Sequence, residues 1–285
     1  MSNGISKRQN NESSIMRLAA QRQLYRDVNG IEIINVLLTI VFPIGLSLIQ
    51  DVAGWAKTAS CIIVLGILGF SFVLDNWQKD KKILAATIQQ EFDVYVFSMD
   101  WDRKLFGTRK NLNAEIAKES KKVMGDEVEK KSLKNWYRIE TDAMTLEAGI
   151  AACQKENYSW DIGLRKRYMC LLISFFVLII AVQLGIGLLK EEMLQEFLFR
   201  ILIISSVLKW IIKTIAGINR DFKRMESIKH SVYSTEEKTM EDLMFTQKYI
   251  FENRKFLTKI PDWFYKIFKD NDENREQRAL GIRSL

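Results

Sequence analysis

The run from Tyr168 to Leu189, YMCLLISFFVLIIAVQLGIGLL, holds 22 residues and no charge. Its polar side chains are Tyr168, Ser174 and Gln183. As a helix it extends roughly 33 Å, enough to cross a hydrocarbon core of about 30 Å. A helix at the edge of a water-soluble core carries a polar face at 3.6-residue spacing, and none can be drawn here. The run is therefore read as a membrane helix, and every other segment is assigned to one side of the bilayer.

The rest of the composition fits that reading. The chain is 48% hydrophobic and 27% charged over 285 residues, the mixture of a membrane protein with a large polar part outside the lipid. Two prolines and 14 glycines predict long, uninterrupted helices. The net charge of +7 speaks first to membrane topology. No DNA or RNA polymer is expected as a partner. Cys61, Cys153 and Cys170 are scattered without a CxxC pair, so no disulfide framework is expected. MSNGISKRQNNESS has no apolar core and is not read as a signal peptide.

Taken in order, residues 1–32 predict a basic helix capped at Ser13 or Ser14 and running to about Val28, with Ile15, Leu18, Ala19 and Tyr25 on its apolar face. Ile33–Ile49 is a first span carrying Pro43, where a kink is expected. Thr58–Leu74 is a second, with Trp55 and Trp77 at its interfacial ends. The short turn between them makes 33–74 an antiparallel hairpin. Residues 75–167 form a polar helical insert, beginning with a stalk whose Leu84, Ile88, Phe92, Tyr95 and Val96 share one stripe. A weaker helix follows with Leu112, Ile116 and Val123, and another over about Thr141–Glu156. In the latter either Met144, Ala148 and Ala151 or Leu146, Ile150 and Cys153 face inward. Residues 168–217 form a second hairpin. Its return arm, Phe197–Gly217, carries Arg200, Lys209 and Lys213. These cations either snorkel to the interface or face a bundle interior or water-filled path. Residues 218–268 predict further helices, one started by a Ser234–Glu237 capping box and holding Met240, Leu243, Met244 and Phe251 on one face. DWFYKIF then lies on the membrane surface or plugs into the helical bundle. Residues 269–285 read as a disordered tail.

Four spans put both termini on one side. Lys and Arg crowd that side: Arg17, Arg22 and Arg26; Lys79, Lys81 and Lys82; Arg165, Lys166 and Arg167; Arg220, Lys223 and Arg224. The positive-inside rule makes it the cytoplasmic side. The expected fold is an all-α membrane protein, with four transmembrane helices in two hairpins and a cytoplasmic helical domain built from the insert and both termini.

Catalytic chemistry has little material. His230 is the one histidine, with no HExxH or cysteine partner, so no metal site is expected. There is no GxGxxG, P-loop or GxSxG. No carboxylate stands isolated in an apolar run where its pKa would be forced up. An enzyme and a cofactor are not expected.

Several stretches together carry a resemblance: ISKRQN and LAAQRQLY near the N-terminus, IQQEFDVYVFSMDW after the second span, NWY at 135–137, CQKENYSWDIGLRKRY before the third span and IPDWFYK near the end. In that order, and in those positions relative to the spans, they resemble the SMODS-associated four-transmembrane effectors of bacterial CBASS anti-phage systems. Asp27-Val28-Asn29 departs from the family's pattern. The resemblance implies an inner-membrane effector that binds a cyclic di- or trinucleotide on its cytoplasmic domain, then assembles or opens to disrupt the bilayer and abort infection. A phosphodiester with flat bases needs guanidinium groups and aromatic faces. Trp160, Arg165, Arg167 and Tyr168 form one candidate set, and Trp136, Tyr137 and Arg138 a second, with Arg22 a further candidate contact. The competing reading makes the aromatics core or interface residues and the arginines topology signals. One protomer leaves little room for an aqueous path, so a homo-oligomer is expected, its path lined by Lys209, Lys213, Arg200, Gln183, Ser174 or Ser205. A membrane adaptor and a ligand-independent ion channel are the alternatives.

Overall fold

The computed structural model describes residues 2–43, 45, 54–109, 111–159, 162–191, 193–233, 237–261, 263–264 and 267, and among these every regular element is helical. Three helices organise the molecule. α3 (Gly54–Val96), α8 (Ile162–Leu189) and α9 (Leu194–Tyr233) contain the stretches Thr58–Val96, Gly163–Leu189 and Leu194–His230, each long and apolar enough to cross a membrane. The first apolar run, Ile33–Ile49, is described only through residue 43 and at residue 45, so its remainder lies outside the described residues. The same holds for Ser234 and for the tail at 269–285.

α3 has 43 residues and α9 has 40. At 1.5 Å per residue they reach roughly 60–65 Å, twice a hydrocarbon core. Each is therefore one rigid rod, apolar at one end and polar at the other, as expected for the stalk. The boundaries near 74, 167 and 217 separate compositions within continuous helices. Only 6% of the apolar window in α8 is buried. So large an apolar surface needs lipid or another chain against it.

The polar end is built on α1 (Ile5–Gln9), α2 (Glu12–Val36), α5 (Asn113–Met124), α7 (Leu146–Ser159) and α10 (Met240–Phe256), with short α4 (Arg103–Phe106) and α6 (Glu127–Lys131). α2 packs along α3 and α5; α10 packs on α3, α7 and α9. Their core joins Phe92, Phe97, Leu133, Tyr137, Ile150, Cys153, Leu243 and Phe251. A second core sits where the rods leave this layer: Leu164, Tyr168, Leu172, Val207, Ile211, Ile218 and Phe264. Phe264 is the described aromatic of DWFYKIF that turns into the bundle, 5.0 Å from the Tyr168 ring.

Several boundaries differ from the sequence reading, each for a local reason. α2 is preceded by extended Asn11, and the Ser14 hydroxyl donates to the Arg8 carbonyl 2.8 Å away rather than capping a helix. α2 also runs past Val28 to Val36, continuing into a π turn at Leu37–Val41. Pro43 accounts for the irregularity. It has no N–H for the Thr39 carbonyl, and that carbonyl instead accepts from Ser206 of α9 at 2.9 Å. In the stalk stripe Ile88, Phe92 and Val96 are fully buried, whereas Tyr95 is 39% exposed, one residue off the i, i+4 line. There it accepts from Asn11 at 2.8 Å and lies under Arg17. α7 begins at Leu146 rather than Thr141, and Ile150 with Cys153 supply its buried stripe while Met144 is exposed. α10 begins after Thr239, and residues 237–239 are not helical. Its capping box is Thr239 with Asp242: each side chain bonds the other residue's backbone N–H. Asp27, at the departure from the family's pattern, pairs with Lys81 of α3 at 2.6 Å.

Thr239→Ala removes this cap and is expected to cost about 1 kcal/mol. Hydrogen exchange at the first amides of α10 measures it, with faster exchange expected in Thr239→Ala and none in Ser234→Ala.

Candidate functional site

The segment after α6 carries Trp136, Tyr137 and Arg138, and its shape is imposed from outside. Asp126 caps α6 by accepting from the Val128 and Glu129 amides at 2.9 and 3.1 Å. Asn135 then sits in the left-handed region at φ 51°, a conformation asparagine tolerates better than most residues. The N-terminal segment pins it there. Asn10 and Asn135 exchange two hydrogen bonds of 2.8 and 3.0 Å. Gln9, buried, brackets the Tyr137 backbone, accepting from its N–H at 2.9 Å and donating to its carbonyl at 3.3 Å. The ISKRQN stretch thus acts as a template for the NWY loop.

The result is an open cleft of about 400 Å³ lined by Arg22, Ser132, Lys134, Asn135, Trp136, Tyr137, Arg138, Glu156 and Asn157. Its size falls within the about 300–1,000 Å³ of small-molecule sites. Arg22 reaches it from α2 and donates to Ser132. Burial, followed by the nearby Arg26 charge, pushes the Arg22 guanidinium pKa down. Trp136 is half-buried and meets Phe92 in a T-shaped contact, the ring centroids 6.5 Å apart. Arg138 and Lys134 are exposed. Chemically the cleft offers three cations and an indole to a ligand that is anionic and flat.

The floor of the cleft is wired to the core. Tyr137 donates to Asp93 Oδ1 at 2.6 Å and accepts from Asn157 at 3.2 Å. Asp93 Oδ2 accepts from Gln247 at 2.9 Å and from Arg254, both on α10. Burial, then the Asp93 charge, pushes the Tyr137 phenol well above its ordinary pKa. Burial depresses the Arg254 guanidinium, but Asp93 and Tyr137 outweigh it and the net shift is upward. Asp93, Gln247 and Arg254 were missed in the sequence. In one dimension they look like positions on a solvated face, and only the packing of α10 on α3 brings them together.

α10 hands this network to the rods through the strap that follows it, residues 257–260. The Thr258 N–H donates to Asp221 Oδ2 at 2.8 Å, and Arg165 donates to the Thr258 carbonyl at 2.7 Å. Arg165 and Asp221 also pair at 2.8 Å, with side chains only 3% and 0% exposed. Lys82 of α3 donates to the Leu257 carbonyl at 2.9 Å, and Arg224 bonds Asp221 and the Phe256 carbonyl. A Cβ at Gly217 would run into the Thr258 side chain, so glycine lets the strap lie against α9.

The first candidate set is therefore placed apart from the second. Arg165 lies in the buried ion pair and Tyr168 in the core below it; Arg167 is half-buried on the same helix; Trp160 lies outside the described residues. Arg22, Trp136, Tyr137 and Arg138 do converge. Among the apolar-span candidates, Lys209 donates to Ser71 at 2.6 Å and lies over Phe72, while Lys213 pairs with Asp75. Both partners are one turn apart on α3, so the two lysines reach across from α9 to α3, Lys209 half-buried and Lys213 exposed. Arg200 donates to the Gln183 carbonyl at 3.1 Å. Gln183 and Ser205 are half-buried, and Ser174 is exposed. Among the described residues no group of three or more His, Cys, Asp or Glu side chains is placed to hold a metal.

An all-helical chain with rods of membrane length, topped by a polar layer bearing a basic aromatic cleft, is the class these features define. The SMODS-associating 4TM effector domain matches residues 3–281, nearly the whole chain, and the protein belongs to that family. A protein of Bacillus cereus (strain VD146), described as a probable CBASS effector molecule, is 24% identical over 287 residues, covering 94% of each chain. No solved structure matches.

The raised Tyr137 pKa sets a pH dependence. The folded state holds the phenolic proton more tightly than the unfolded chain does. The stability it contributes is complete below about pH 10 and is lost as pH rises from there toward the folded value. Thermal unfolding between pH 8 and 11 should show a steeper alkaline fall in the wild type than in Tyr137→Phe.

Proposed function

We propose that this protein is the membrane effector of a CBASS-type anti-phage system, activated by a cyclic di- or trinucleotide bound in the Arg22–Trp136–Arg138 cleft. Its family and its probable CBASS effector relative support the effector role. The observation that carries the ligand reading is the convergence of three cations and an indole on a cleft of suitable size. Arg22, Lys134 and Arg138 would take the phosphodiesters, and Trp136 would stack on a base. Four spans cross the bacterial inner membrane, with both termini and residues 75–167 in the cytoplasm, where such a ligand is made. The action is non-enzymatic and needs no cofactor.

Activation passes from Tyr137 to Asp93, along α10 and into the strap that holds α3, α8 and α9. A ligand that favours one arrangement of this network shifts the rods as rigid bodies. Several protomers then assemble a path or a defect, with Lys209, bonded to Ser71, and Lys213, paired with Asp75, among the polar groups that line it. Loss of the membrane barrier aborts infection.

Protein in liposomes loaded with a self-quenched dye is expected to leak on addition of the cognate cyclic nucleotide and to stay tight without it. A stacked base is worth about 1–3 kcal/mol, so Trp136→Ala should weaken binding roughly 5- to 150-fold. Arg138→Ala should weaken it in the same direction. Ligand binding without leakage overturns the membrane action and favours an adaptor; leakage without ligand favours a constitutive channel.

A further inference from the structure

A second cavity lies where α2, α3 and α9 leave the apolar layer. It has a volume of about 310 Å³ and is roofed by the strap after α10. Six cations line it (Lys79, Lys82, Lys213, Arg220, Lys255 and Lys259) against two carboxylates, Glu32 and Asp75, an excess of four positive charges. Both carboxylates are already engaged. Asp75 is held by Lys213 and by Asn35 at 3.3 Å; Glu32 accepts from Gln78 at 2.6 Å and from Trp210 at 3.3 Å. Lys255 is taken by Glu252 at 2.7 Å. What remains turned to the cavity is Lys79 and Arg220, exposed and with no side-chain hydrogen bond or ion pair among the described residues, and Lys82, whose ammonium uses one donor on the Leu257 carbonyl. Three cations with spare donors, on two helices that cross a membrane-length apolar layer, are the recognition chemistry of a phosphate group.

We infer that this cavity binds the phosphate of an anionic glycerophospholipid head group, seated between α3 and α9 beneath the strap. A free phosphomonoester or phosphodiester shares the chemistry. The lipid is favoured by position: Trp210 lines the cavity, and exposed Trp77 and Ile212 flank it on α3 and α9. Aromatics of that kind mark the interface at which head groups lie. A head group held there touches the strap, because Gly217, Thr258 and Lys82 belong to the same wall. It would hold the strap on the rods, so that lipid composition sets how readily the protein is activated. The assignment rests on reading α3 and α9 as membrane helices.

The test uses full-length protein in nanodiscs of phosphatidylcholine, with or without phosphatidylglycerol, and in phosphatidylcholine nanodiscs supplied with soluble glycerophosphate. Retained lipid is counted by native mass spectrometry and strap protection is measured by hydrogen exchange. Phosphatidylglycerol is expected to be retained and to slow exchange at 257–260. Lys79→Gln with Arg220→Gln should lower retention about 30-fold, as two surface cations acting on one anionic head group imply. Lys104→Gln with Lys121→Gln, which removes the same charge from exposed positions elsewhere, should leave retention unchanged. Equal protection by glycerophosphate overturns the lipid in favour of a soluble phosphate. Retention indifferent to the Lys79 and Arg220 changes overturns the site and leaves the membrane reading standing. Failure to enter nanodiscs overturns both.

Discussion

The buried pair between Arg165 and Asp221 is the constraint on which the architecture turns. Removing one partner from a desolvated pair leaves an uncompensated charge, a loss of about 3–5 kcal/mol, whereas an apolar replacement of both is tolerated. Such a pair is weak evidence for stability and better evidence for specified geometry. Here it fixes α8 to α9 at the level where both leave the apolar layer, and its spare valences hold the strap: the Thr258 N–H on Asp221 and the Thr258 carbonyl on Arg165. α10 cannot move along α3 without breaking the bonds that the strap makes to this pair.

That arrangement strings one continuous line of bonded contacts from the polar layer to all three rods, beside the direct packing of α2 and α10 on α3. At one end the NWY loop, templated by Gln9 and Asn10, offers a basic aromatic cleft. In the middle Asp93 of α3 bonds both Tyr137 at the cleft floor and Arg254 of α10. At the other end the strap meets α3, α8 and α9 together. Because α3 and α9 are unbroken from the strap to the far side of the apolar layer, a small displacement there moves whole rods. Lys209 and Lys213, matched to Ser71 and Asp75, set the register in which the rods rest against each other.

Much of this was legible in one dimension. Apolar runs flanked by cations marked the three described rods, and the Leu84–Val96 stripe revealed that α3 outruns a bilayer-length span. The family was legible from the order of its motifs. Capping was harder to place, because Ser234–Glu237 and Thr239–Asp242 both satisfy the pattern and only the packing of Met240 and Leu243 selects the second. The cleft was legible as residue types but not as a place. Arg22 and Trp136 are more than a hundred positions apart, and the loop beside them is held by Gln9, an amide in the ISKRQN stretch whose partner at Tyr137 nothing in the sequence names. Arg165 presented itself as a ligand contact because its partner Asp221 stands in a run of charges, with nothing to show that both would be buried.

Hydrogen exchange at residues 257–260, with and without the activating cyclic nucleotide, tests the central claim that the strap transmits the cleft's state to the membrane helices. The expected result is a ligand-induced change in strap exchange in the wild type that is lost in Tyr137→Phe, where the cleft floor no longer reaches Asp93. Ligand-triggered leakage with strap exchange unchanged would contradict it.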